Sequence, residues 1–126
     1  MPSVSSRPAV TTGIDASSIE RISKAAGRKH FLERVFTEGE IACSFSRNDP
    51  YRHLAGRFAA KEACLKALTI SMGRGINLRD IEVVNSPSGV PALELHAGAK
   101  QMLGERKAFL SISYSKGYAF AFVVMG

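Results

Sequence analysis

The sequence predicts one α+β domain, an antiparallel sheet packed against a long helix. Three observations carry this. Helical spacing with capping residues dominates as far as Thr69. The apolar spacing then switches to period two. The period-two segments are joined by short turns, and no βαβ rhythm repeats, which argues for antiparallel strands beside helices.

Residues 1–12 begin MPSVSSRPAV, whose Pro, Ser and lone Arg suggest a flexible leader, with the domain proper over 13–126. AVTTGID (9–15) reads as a short strand ending on Asp15. Ser17 or Ser18 can cap a helix over 19–26, which Gly27 stops. A second helical piece covers 30–36. Thr37 and Glu40 have the spacing of a capping box, so TEGEIACSF starts a third helix. Residues 46–50 are loop, a long helix follows over 51–69, and 72–75 are loop again. DIEVVN, the turn SPSG and VPALELH make a strand pair. Residues 98–105 are helical. AFLSISYS and YAFAFVVM pair through Lys116-Gly117, a tight hairpin signal.

Composition narrows the function classes. The 126 residues carry 17 Lys and Arg against 11 Asp and Glu, a net charge of +6, which draws acidic or phosphorylated partners without choosing among them. Cys43 and Cys64 form no CxxC and have no His in ligand spacing, so two reduced thiols in a cytoplasmic protein are expected. No apolar run is long enough for a membrane span, and the N-terminus lacks the core of a signal peptide. RNA binding would favour exposed aromatics interleaved with Arg and Lys, whereas Phe residues such as Phe109, Phe120 and Phe122 sit in apolar strands, which counts against it.

RFAAKEACLKAL (57–68) sets four charges, Arg57, Lys61, Glu62 and Lys66, on an otherwise apolar helix. Measured from Arg57, Leu54, Phe58, Leu65 and Leu68 share an arc of about 20° to 100°. Ala59, Ala60, Ala63, Cys64 and Ala67 cover an arc of about 200° to 340°, where small side chains admit a close neighbour. Glu62 and Lys66 lie one turn apart. Arg57 and Lys61 lie near the other edge, Lys61 within the leucine arc. These charges can form an i,i+4 pair with two snorkelling cations. They can also hold a polyphosphate and a divalent ion, since half-buried charges need partners. Asp15 is the candidate second carboxylate, with helix capping as its alternative role. A hard cation such as Mg²⁺ needs only one or two protein carboxylates beside a phosphate ligand.

Six segments then occur in order: GID (13–15), FLERVFTEGE (31–40), HLAGRFAAKEACLKAL (53–68), DIEV (80–83), GVP (89–91) and SISYSKGYAFAFVV (111–124). Together they resemble the holo-acyl-carrier-protein synthase family, the small trimeric phosphopantetheinyl transferases, over nearly the whole chain after residue 12. RFAAKEA carries most of the specificity. The resemblance implies transfer of 4′-phosphopantetheine from coenzyme A to a serine of an apo-acyl carrier protein, with adenosine 3′,5′-bisphosphate released. Asp15 and Glu62 match the family's ligands for Mg²⁺, with Mn²⁺ an alternative. Arg57, Lys61 and Lys66 match its phosphate-binding cations, which makes Asp15, Glu62 and Lys66 the expected catalytic set. Such a transfer needs alignment and charge neutralisation more than covalent help. Lys66 would neutralise a diphosphate oxygen, and the Arg57 fork suits a phosphate on the adenosine ribose. Either Glu62 or a water on the metal would take the serine proton.

The resemblance also implies a homotrimer with sites between subunits, and an acidic carrier protein as partner. Arg21, Lys24 and Arg28, extended by Arg34, are the expected carrier surface. Neither a membrane nor nucleic acid is an expected partner. The alternative is a weak or inactive basic binding protein of the same fold. Tyr114 stands where many family members have a coenzyme-contacting His, and Ser115 beside it either contacts phosphate or starts the turn. Thr69 replaces a usual Gly, and Ser18 a frequent acidic residue. His30 and His96 have no partners at metal-ligand spacing.

Overall fold

The computed structural model describes residues 10–68 and 75–126. Most of the expected leader, and Thr69 with the loop as far as 74, lie outside the described residues. Strand β1 (Thr11–Ser18) starts before the expected domain boundary and runs past Asp15, which is mid-strand. Helix α1 (Ile19–Ala26) follows, with the Ser18 hydroxyl accepting from the Arg21 N–H. Asp15 is therefore not the cap. Helix α2 (Phe31–Val35) leads to α3 (Glu38–Phe45), whose Thr37/Glu40 capping box forms with both of its hydrogen bonds. Helix α4 (Pro50–Ala67) starts one residue earlier than expected, because Asp49 caps it and Pro50 suits the first turn.

A 3₁₀ turn (Leu78–Asp80) opens the second half, followed by β2 (Ile81–Asn85), β3 (Pro91–Leu95), α5 (Ala97–Leu103), β4 (Ala108–Ser115) and β5 (Tyr118–Met125). Strands β2 and β3 pair with each other, and the main sheet has the order β1-β5-β4, antiparallel throughout. The β4–β5 turn places Lys116 at φ 48° and Gly117 at φ 82°, the two left-handed residues that a type I′ hairpin demands.

Helix α4 lies across the sheet and supplies the core. Ala59, Ala60, Ala63, Cys64 and Ala67 are fully buried, packed with Ala121, Val123 and Met125 of β5. The small-residue arc is thus used inside the chain. Burial pushes the Cys64 thiol up to about 12, so it is an inert packed side chain. Strand β1 approaches α4 so closely that a Cβ on Gly13 would overlap the Ala63 carbonyl. The obstacle is helix backbone, which cannot turn aside. Gly13→Ala is expected to lower stability by at least about 1–3 kcal/mol, read as a lower urea midpoint with an unchanged slope.

The far face of the sheet is different. Ile14, Phe109, Phe120 and Phe122 point outward and stay exposed, and the register sets Ile14 opposite Phe122. The phenylalanines that the sequence placed in apolar strands therefore form an exposed apolar surface on this chain.

Candidate active site

The period of a strand brings Asp15 to the site. Gly13, Asp15 and Ser17 share one face of β1, while Ile14 and Ala16 are exposed on the other. The first face is the one α4 crosses, so Asp15 points toward the helix. Glu62, half-buried on α4, meets it there. Burial raises the Glu62 pKa, the negative charge of Asp15 raises it further, and Lys66 opposes both. Lys66 does not simply pair along its own helix. Its Nζ lies 3.2 Å from Asp15 Oδ1 and donates to the Ile14 carbonyl at 2.9 Å.

Asp15, Ser17, Arg21, Arg28, Phe58 and Glu62 line a cleft of about 430 Å³. Two carboxylates and no thiolate or imidazole on its walls make an oxygen donor set, which fits a hard divalent cation. The Lys66 ammonium resting on Asp15 marks the same spot as one where positive charge is favoured. Of the expected carrier surface, Arg21 and Arg28 wall this cleft. Lys24 is not among the residues lining it and pairs with Glu20 at 3.5 Å, both side chains largely exposed. Arg34 is exposed on α2.

Lys61 corrects the sequence reading. It has no exposed surface, and its Nζ is 2.8 Å from Glu40 Oε1, 2.9 Å from the Leu78 carbonyl and 2.6 Å from the Ile81 carbonyl. All three ammonium donors are occupied, so it is not a phosphate ligand. Burial lowers its pKa and the Glu40 charge opposes that. Glu40, equally buried, also accepts from the Thr37 and Val83 N–H groups at 2.9 and 2.7 Å. The pair locks α3 and the start of β2 onto α4, one residue from Glu62.

Arg57 and Tyr114 are not in the Asp15–Glu62 cleft. Tyr114 is on β4 and Asp15 on β1, the opposite edges of the three-stranded sheet. Arg57 is 3% exposed. Among the described residues its Nη2 makes only long contacts, 3.5 Å to Asn85 Oδ1 and 3.9 Å to Cys43 Sγ, and its Nε has no partner. Ser115 is exposed at the end of β4. Sequence reasoning missed Arg52, whose guanidinium stacks 4.0 Å from the Tyr114 ring centroid; a span of sixty-odd residues gives no spacing signal. It also missed a surface group. The β2–β3 register sets Glu82 opposite Glu94, and His96 Nε2 lies 3.0 Å from Glu82 and 3.9 Å from Glu94, so His96 does have potential co-ligands.

The profile of the 4'-phosphopantetheinyl transferase superfamily (ACPS) matches residues 11–123. A holo-[acyl-carrier-protein] synthase from Thermodesulfovibrio yellowstonii is 47% identical over 116 residues, 90% of this chain and 95% of the relative. Among solved structures, the Helicobacter pylori holo-[acyl-carrier-protein] synthase in complex with coenzyme A is 36% identical with a TM-score of 0.80, covering 91% of this chain and 99% of that one. The Bacillus anthracis synthase in complex with CoA (3',5'-ADP) is 37% identical with a TM-score of 0.76, covering 91% and 94%. Fold and matched span define the class, a small α+β phosphopantetheinyl transferase. Within that class, the chain belongs to the holo-[acyl-carrier-protein] synthase family.

Proposed function

We propose that the chain, as one transferase domain, moves 4′-phosphopantetheine from coenzyme A to a serine hydroxyl of an acidic apo-acyl carrier protein. The observation that carries this is the convergence of Asp15, Glu62 and Lys66, from a strand and a helix far apart in sequence, in a cleft walled by Arg21 and Arg28. In the reaction the serine oxygen bonds to the phosphorus that bears pantetheine. The bond from that phosphorus to the bridging oxygen breaks, and adenosine 3′,5′-bisphosphate leaves. Asp15 and Glu62 would hold Mg²⁺, or Mn²⁺ in its place, and the ion when bound neutralises diphosphate charge. Lys66 swings from Asp15 to a diphosphate oxygen. Glu62, or a water in the cleft, would receive the serine proton. Incubation with coenzyme A, Mg²⁺ and apo-carrier tests the reading: intact mass must show one added phosphopantetheine, and no adduct on any apo-carrier rejects it.

A second copy of the chain completes the site. Arg57 and Lys66 lie on opposite sides of α4, about 180° apart, and Tyr114 and Asp15 lie on opposite sheet edges. One coenzyme reaches both groups when neighbouring protomers supply one each. The exposed apolar sheet face supports such an assembly, a homotrimer, because a contiguous surface of Ile14, Phe109, Phe120 and Phe122 favours a partner over water. Absence of any helix long and apolar enough to span a membrane, among the described residues, agrees with action in the cytoplasm.

Arg21 and Arg28 steer the acidic carrier. Reversing both to Glu is expected to raise the KM for carrier about tenfold at low salt, with a smaller rise in the KM for coenzyme A. The difference should shrink as added salt screens the surface. Equal rises in both KM values would move these arginines from the carrier surface to the coenzyme subsite.

A further inference from the structure

We infer that Glu82, Glu94 and His96 form a metal site of their own, one for a transition ion of the Zn²⁺ class, apart from the Asp15–Glu62 cleft. The inference goes beyond the transferase reading and stands on three side chains that the proposed chemistry does not use.

A strand pair builds the set. The register of β2 and β3 places Glu82 opposite Glu94 and Ile81 opposite Leu95. The His96 N–H donates to the Asp80 carbonyl at 2.8 Å, which extends the pairing by one residue. Glu82, Glu94 and His96 therefore share the face turned from the core, while Ile81, Val83 and Leu95 are buried on the other. His96 Nε2 lies 3.0 Å from Glu82 Oε1 and 3.9 Å from Glu94 Oε1. One donor atom from each residue lies within 4.8 Å of the other two. Ligands of one tetrahedral Zn²⁺ stand about 3.4 Å apart. The two imidazole–carboxylate spacings bracket that value, so small side-chain rotations admit the ion.

Donor chemistry selects the ion. The carboxylates of the cleft offer oxygen, whereas this set adds an imidazole nitrogen, which suits Zn²⁺ and not Mg²⁺. Glu82, Glu94 and His96 are not among the residues lining the cleft. Two carboxylates set directly across a strand pair repel each other. A neutral imidazole leaves that repulsion standing, and a bound dication offsets it. Two of the ligands are held in place before any ion arrives. Glu82 Oε2 accepts from the Thr37 hydroxyl at 3.0 Å, and the same threonine caps α3. The His96 carbonyl accepts from the Ala99 and Lys100 N–H groups at 3.1 and 3.3 Å, which fixes its backbone at the start of α5. Outer hydrogen bonds of this kind keep a ligating group in its binding orientation. The half-exposed His96 side chain leaves room for water at the fourth position. A bound ion would cross-link β2, β3 and the start of α5.

Calorimetric titration of Zn²⁺ into the whole chain, with excess Mg²⁺ present to fill the cleft, tests the site. His96→Ala and Glu94→Gln should each weaken Zn²⁺ binding by at least about tenfold. The His96 side chain makes no cap hydrogen bond to α5, so His96→Ala should melt near the parent in chelator. Glu94 is exposed, and Glu94→Gln carries the test should His96→Ala fail to fold. Zn²⁺ should raise the melting temperature of the parent and not of the two variants. Asp15→Ala, which breaks the other carboxylate set, should bind Zn²⁺ as the parent does. In proton NMR the His96 ring signals, assigned by their loss in His96→Ala, should move on adding Zn²⁺ while those of His30 and His53 stay. Equal Zn²⁺ affinity in the parent and both variants overturns the inference, as does Zn²⁺ binding that Asp15→Ala abolishes. A parent that takes up no Zn²⁺ beside Mg²⁺ overturns it too. No readout here involves transfer, so a chain that fails to modify any apo-carrier would still decide the question.

Discussion

Glu62→Gln is expected to lower kcat/KM for transfer by on the order of 10³-fold, and at the same time to make the metal-free protein more stable above the acidic range. Both effects come from one placement. Glu62 is set into a half-buried cleft beside Asp15, where burial and a like charge raise its pKa. The folded chain therefore holds the Glu62 proton to higher pH than the unfolded chain does. A carboxylate with a raised folded pKa favours folding below its ordinary pKa, and that contribution is lost as pH rises through the raised value. Near neutrality the ionised Glu62 strains the metal-free fold, and the neutral amide removes the strain. Thermal melts in chelator from pH 4 to 8 should show the variant gaining on the parent as pH rises. Adding Mg²⁺ should stabilise the parent and not the variant. Asp15→Ala should lose transfer to a similar extent, and it leaves Lys66 without its carboxylate. If either variant transfers at the parent rate with metal present, the two acids are not the reacting centre.

Lys61→Met is expected to cost about 3–5 kcal/mol of stability, against a total of roughly 5–15 for a domain of this kind. The substitution removes the cation from a pair with no solvent exposure and strands the Glu40 charge between two backbone N–H donors. Lys61→Met with Glu40→Gln removes both charges and should recover at least half of the loss. Urea unfolding of the parent, the single variant and the double variant measures this. A single variant with the parent's midpoint would show that the pair is not structural. A folded Lys61→Met protein that had lost coenzyme affinity would return Lys61 to the phosphate ligands.

Lys61 also shows how far the sequence could be read. Its angle on α4 fell within the leucine arc, and that arc is interior; the signal for burial was present. Its role was misassigned because its partner, Glu40, already had a complete local explanation in the capping box with Thr37. Nothing in local spacing says that the same carboxylate also reaches Val83 and Lys61. Tyr114 is a similar case. Its alternation in β4 was legible, but the Arg52 guanidinium over its ring was not, since their meeting depends on how α4 lies against the sheet edge.

The chain's own periodicities determined the order of elements, the hairpin at Lys116-Gly117, the capping box and the small-residue side of α4, because each depends on groups within a turn or two of one another. The RFAAKEA motif and its companion segments pointed to the transferase family in the same way. Tertiary structure alone decided which charges meet. It set Asp15 mid-strand on the face toward Glu62 and Lys66, buried Lys61 against Glu40, and separated Arg57 from the cleft by the width of a helix. The reason is physical: a charge is settled by desolvation and by partners brought close in space, and neither is a function of distance along the chain.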